Sequence, residues 1–183
     1  ARAAFLAVRD MAAHYGAHIL GVPRDNLPTL AKQGLSEALW NPQDAWQNIT
    51  SFRVFPGAKR AILSAGAPSY LAGEAAEALS REGLSTDAHI INALPLSSGE
   101  LSDLVKRYPD GVVTLEDGII SSGAMGLQGV AGLVAEVASA LGIPSDHIGI
   151  TDPRIAPSDG FVELWGHFGL SVPNLKRAVR DLA

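Results

Sequence analysis

Ala61-Ile62-Leu63-Ser64-Ala65 is a short apolar run, and Pro68 to Arg81 behind it places Leu71, Ala75, Ala78 and Leu79 at helical spacing before Gly83 stops the periodicity. The same rhythm then repeats. Ala88-His89-Ile90-Ile91-Asn92 reads as a second strand, and Ser98 to Tyr108 as a second helix with Leu101, Leu104 and Val105 inward. Val112-Val113-Thr114-Leu115 reads as a third strand, followed by a glycine-rich segment and a helix from about Leu127 to Leu141. A short strand over His147–Thr151 and two helices, near Phe161–Phe168 and Val172–Leu182, complete the pattern. Apolar strands alternating with helices of ten or so residues predict βαβ units. The fold class is α/β, a three-layer, mostly parallel sheet with helices on both faces.

Upstream of Lys59 the character changes. Arg2 to Tyr15 carries Phe5, Leu6, Val8, Met11 and Ala12 at helical spacing and meets Gly16, and Ala17 to Val22 reads as a short strand. Pro23 to Pro56 holds four prolines and two tryptophans with little periodicity, so it reads as an irregular connector with one helical turn between Leu35 and Trp40. Trp40 and Trp46 give it apolar groups to pack. The expected organisation is a helix and strand over 1–30, a linker over 31–58 and an α/β domain over 59–183.

Composition narrows the function classes. With 183 residues, 47% hydrophobic and 18% charged, and 14 Lys+Arg against 19 Asp+Glu, the chain can bury a core and has no basic surplus for a phosphate backbone, so nucleic acid is not an expected partner. No apolar run approaches the roughly 20 residues that span a bilayer and no signal-peptide pattern opens the chain, so no membrane is expected and a cytoplasmic address is the default. The absence of cysteine excludes disulfides, thiolate metal sites and thiol nucleophiles. His14, His18, His89, His147 and His167 form no metalloprotease-type pair, so neither a metal site nor a catalytic residue is assigned, and His167, between Trp165 and Phe168, reads as a partly buried structural residue. No G-x-S-x-G elbow is present.

Three features carry possible chemistry. Gly123, Gly126, Gly129 and Gly132 recur every third residue after the third strand. Ser122, Gly123, Ala124 and Gly126 there could form an anion site from helix-start amides, or the glycines could bring the helix close to the sheet or a partner subunit. Glu116 and Asp117 end the third strand side by side and should point to opposite faces, which argues against a shared acid–base role and leaves one of them to cap the following turn. Arg24, held between Pro23 and Pro28, is suited to bidentate capture of phosphate or carboxylate, or is a solvated surface group.

Arg24-Asp25-Asn26-Leu27-Pro28-Thr29-Leu30 resembles the R-Q-N-L-P stretch that closes the pyrimidine-binding domain of transketolases. Gly57-Ala58-Lys59-Arg60-Ala61-Ile62-Leu63-Ser64-Ala65-Gly66 is similar to the opening strand of that family's C-terminal domain, and Glu74-Ala75-Ala76-Glu77-Ala78-Leu79 to its first helix. Val112-Val113-Thr114-Leu115-Glu116-Asp117 resembles its third strand, and Trp165-Gly166-His167-Phe168-Gly169-Leu170-Ser171 its ending. The resemblance implies the tail of a pyrimidine-binding domain over 1–30, an interdomain linker over 31–58 and a transketolase C-terminal-like domain over 59–183. It implies an enzyme using thiamine diphosphate and Mg, in which this part supports a homodimer and closes the active site for ketol or 2-oxo acid chemistry. Arg24 then binds the substrate anion. Asp25 departs from the family's glutamine and sets a negative charge beside that anion, which leaves room for a 2-oxo acid in place of a sugar phosphate. No G-D-G with following asparagines is present, so this chain alone is expected to bind no cofactor and to be inactive without the diphosphate- and pyrimidine-binding domains, fused or separate. An initial alanine in place of methionine fits part of something longer. The alternative is a free-standing, flavodoxin-like binding module for a small anion or a protein partner.

Overall fold

A computed structural model describes residues 2–22, 43–121, 126–152, 154 and 156–182. Five strands form one sheet: β1 (Ile49–Arg53), β2 (Arg60–Ala65), β3 (Thr86–Ile91), β4 (Val112–Ile119) and β5 (Ser145–Ile150), in the order β1-β3-β2-β4-β5. β2, β3, β4 and β5 pair in parallel, and β1 adds antiparallel to β3 at one edge. The six helices are α1 (Arg2–Ala13), α2 (Ser69–Arg81), α3 (Ser98–Val105), α4 (Gly129–Leu141), α5 (Phe161–His167) and α6 (Val172–Asp181).

Alternation along the strands creates the two faces. Ile62, Ala88, Ile90, Val113 and Leu115 meet α2, α5 and α6 through Leu79, Trp165, Leu175 and Val179. Ala61, Leu63, Ile91 and Val112 meet α3 and α4 through Leu101, Leu104, Val130 and Val134. Because successive strand residues point to opposite sides, a parallel sheet covered twice must be apolar at consecutive positions, as these strands are. Local chemistry sets the helix starts: Ser97 Oγ accepts the Glu100 amide at 3.1 Å, and Ser171 Oγ accepts that of Asn174 at 3.4 Å.

Three departures from the sequence expectation have physical causes. The sheet begins at Ile49, inside the stretch read as linker, because Thr50 and Phe52 are buried and the backbone pairs with β3. Phe52 fits only because Gly73 of α2 has no side chain: a Cβ there would stand 2.7 Å from the ring. Ala17–Val22, read as a strand, is unpaired, with Ile19 94% exposed, since no neighbouring strand lies alongside it among the described residues. Strand propensity expresses fit to a half-buried surface, and there is none here. His167, expected to be partly buried, is exposed, its ring set edge-on to Phe168 with 4.8 Å between centroids.

α1 packs Leu6 and Ala7 inward and leaves Phe5 and Val8 in water. No helix among the described residues is long and apolar enough to cross a membrane.

Candidate functional site

Parallel register brings Ala65, Ile91 and Glu116 level at the carboxyl edge of β2, β3 and β4. The chain winds from β2 to β3 on one side and then crosses to β4 on the other, so the switch point lies between β2 and β4. Open α/β sheets bind ligands at such points.

Glu116 and Asp117 diverge, as adjacent strand residues must. Glu116 is 8% exposed, and its Oε1 accepts the Ala131 amide in the first turn of α4 at 2.8 Å. A carboxylate at that place satisfies an orphan N–H and the positive end of the helix dipole. Gly129 makes the approach possible: its φ is +64°, and a Cβ would lie 2.6 Å from Glu116 Oε2. Asp117 is exposed on the other side, and partial desolvation at the sheet edge raises its carboxyl above the usual range.

The two ends of the glycine-rich segment are held together. Gln128 N donates to Ile120 O at 2.8 Å, and Ser121 bridges Leu127. Gly126 is exposed with φ +68°. Ser122, Gly123 and Ala124, and likewise Arg24, lie outside the described residues.

A cleft of about 660 Å³ opens between α1 with residues 17–21 and the carboxyl edge of the sheet. Ala65, Ile91 and Val130 lie along it, with Asp10, Trp46 and Asn92 among its polar and aromatic residues. Trp46, from the segment read as a connector with packing tryptophans, is half-buried, and its indole N–H donates to Asn48 Oδ1 at 3.2 Å.

Away from the cleft, a buried chain of hydrogen bonds runs through β3. Ser51 on β1 lies opposite His89, and its hydroxyl donates to His89 Nδ1 at 2.9 Å. His89 Nε2 donates to the Tyr108 hydroxyl at 2.6 Å, which donates to Asp87 Oδ2 at 2.8 Å. Asp87 Oδ1 accepts the Phe55 amide at 2.8 Å. Burial, with a smaller contribution from the Arg107 charge, pushes His89 down to about 4 against the opposing pull of Asp87, so the ring is neutral at pH 7. Burial and the Asp87 carboxylate raise the Tyr108 phenol. Sequence reading assigned His89 no role. The signal available was a histidine one residue beyond an aspartate's neighbour in an otherwise apolar strand, two positions that share a face.

Among the described residues no group of three or more His, Asp or Glu stands close enough to hold a metal ion.

No family model and no curated protein matches the sequence. Solved structures do match. A split-gene transketolase described as an inactive β4 tetramer superposes with a TM-score of 0.66 at 22% identity, over 87% of this chain and 47% of that one. The fold is transketolase-like. A transketolase from Campylobacter jejuni subsp. jejuni gives a TM-score of 0.54 at 16% identity over 73% of this chain, and one from Leishmania mexicana 0.52 at 19% over 74%. This chain spans about half of the first structure's chain and 18% of each of the other two. The expected α/β class and the transketolase C-terminal likeness therefore hold at the level of fold.

Proposed function

We propose that this chain is the C-terminal part of a transketolase-like enzyme, supporting a homodimer and closing the active site for two-carbon ketol or 2-oxo acid chemistry on thiamine diphosphate, and inactive by itself. The observation that carries the reading is the uncovered apolar N-terminal segment on a domain of this fold. Phe5, Val8, Tyr15, Ile19 and Val22 are all exposed while the opposite side of α1 is buried. Contiguous exposed apolar groups mark a surface made to be covered. Residues 1–30 are then the tail of a pyrimidine-binding domain, 31–58 the connection, into whose end β1 falls, and 59–183 the C-terminal domain.

The donors present among the described residues do not fit thiamine diphosphate and its Mg ion, since no carboxylate or imidazole cluster is available for the metal. The cofactor belongs to the remainder of the enzyme, fused or separate, and no chemical step is routed through it here. Arg24 contributes a guanidinium to the substrate's anionic group, and the amides around Ser122, Gly123, Ala124 and Gly126 are a secondary anion or interface site. α4, with a single charged residue and Leu133 exposed, is the element offered to a second copy in the dimer.

Calorimetry tests the division of labour: the chain alone should show no micromolar thiamine diphosphate binding, and finding it overturns the reading. In the complete enzyme, Arg24→Ala should weaken binding of an anionic substrate by about 1.5–3 kcal/mol. An unaltered KM removes Arg24 from the site.

A further inference from the structure

We propose that the cleft between α1 and the carboxyl edge of β2 and β3 takes a neutral, hydroxyl-rich ligand and turns phosphate esters away. Its volume, about 660 Å³, falls within the range of small-molecule pockets. The carboxyl ends of parallel strands are where such sheets receive ligands.

The argument lies in which hydrogen-bonding capacity is left over. Asn92 directs its amide nitrogen inward, donating to Thr50 Oγ1 at 2.7 Å and to Gln47 O at 3.1 Å, which leaves Oδ1, an acceptor. His18 Nε2 donates to the His14 carbonyl at 3.1 Å, and in the tautomer that makes this bond Nδ1 is an acceptor. Asp10 adds a carboxylate, which only accepts; its Oδ1 lies 3.6 Å from His14 Nδ1. Asn48 adds one amide N–H at most, because its Oδ1 receives the Trp46 indole and one Nδ2 hydrogen goes to Glu100 at 3.4 Å.

Acceptors therefore outnumber donors among the polar side chains of the cleft, and one of them is the charged Asp10 carboxylate. A hydroxyl donates. A phosphate dianion accepts only, would face the Asp10 charge, and meets no Lys or Arg among the described lining residues. Trp46 offers a large flat face, and Ile91 and Leu94 an apolar wall, for the C–H face of a compact polyol.

The proposal depends on the function proposed above only for placing this cleft in a larger active site, and its test does not need that enzyme. The 183-residue chain is titrated with D-ribose and with D-ribose 5-phosphate, two probes that differ by one phosphate, followed by indole fluorescence and saturation-transfer NMR. Ribose should bind saturably and the phosphate at least about tenfold more weakly. Trp46→Ala should weaken ribose binding. Asp10→Lys should reverse the preference, with circular dichroism and the urea midpoint reporting that each variant is folded. Equal or tighter binding of the phosphate, no saturable response to ribose, or an unchanged ratio in a folded Asp10→Lys protein overturns the proposal. Failure here together with activity of the assembled enzyme removes the cleft inference and leaves the proposed function. Ribose binding without any activity on assembly does the reverse.

Discussion

Tyr108→Phe isolates the buried polar chain with little change in shape. The ring, 2% exposed, keeps its packing against the α3 side of the sheet, so only the hydroxyl is lost. That hydroxyl donates to Asp87 Oδ2 at 2.8 Å and accepts from His89 Nε2 at 2.6 Å. Both partners are enclosed, His89 at 1% and Asp87 at 6% exposure, and water does not readily replace the lost group. An unsatisfied buried group costs about 1–3 kcal/mol, more when charged, so the pair together should cost about 2–4 kcal/mol, a large share of the roughly 5–15 kcal/mol that holds a domain folded. Urea unfolding at pH 7 reads this as a lower midpoint at unchanged slope. Ser51→Ala, at the exposed end of the chain, should cost less than about 1 kcal/mol. The Phe55 amide, bonded to Asp87 Oδ1 at 2.8 Å, should exchange faster in Tyr108→Phe than in the parent. A loss below about 0.5 kcal/mol with the Phe55 amide unaffected would refute the view that this network ties β1 to β3, since the cost of two stranded polar groups exceeds that figure.

The same network sets a pH dependence. His89 is neutral in the fold, with its pKa lowered from 6.5 to about 4, so between those values the unfolded chain binds the extra proton; stability rises with pH there, falls as pH drops from 6.5 toward 4, and levels below. The full swing is on the order of 3 kcal/mol, and a His89→Gln protein that folds should lose that slope in urea titrations across the window. At the start of α4, Glu116→Gln keeps an oxygen for the Ala131 amide and should cost about 1 kcal/mol, whereas Gly129→Ala meets both the +64° φ and the 2.6 Å approach to Glu116 and should cost more. Thermal unfolding that ranks the two in the opposite order contradicts the close-approach account.

What could be read from the chain, and what could not, follows from the range of the forces involved. β2 to β4 and α2 to α6 were legible because burial on both faces writes consecutive apolar residues into the strands and a 3.6-residue period into the helices, and β5, an edge strand in which only Gly149 is buried, followed from the strand–helix alternation. β1 was not, since Ile49-Thr50-Ser51-Phe52-Arg53 becomes a strand only through pairing with β3 and the space Gly73 leaves for Phe52, contacts more than 20 residues away. Ala17–Val22 failed the other way: its propensity is real, but no partner strand meets it among the described residues. For Glu116 and Asp117, the period of two predicted divergence, while which of them reaches α4 depended on where the intervening segment returns, at Gln128 onto Ile120. The relay through His89 needed three elements at once.

These observations converge on α1. A helix that buries Leu6 and Ala7 on one side and exposes Phe5 and Val8 on the other is not amphipathic toward water; it has two apolar sides. Covering each exposed group, with Tyr15, Ile19 and Val22 beyond, is worth on the order of 1–2 kcal/mol, while ordering the unpaired backbone of 17–22 costs about 1–2 kcal/mol per residue. The two nearly balance, so a partner that also bonds the backbone groups left unpaired among the described residues, as a sheet edge does and a flat apolar surface does not, would favour the segment as a strand. That distinction favours a β-sheet-bearing partner over nonspecific association, and it ties the strand read at Ala17–Val22 to the larger enzyme proposed for this chain.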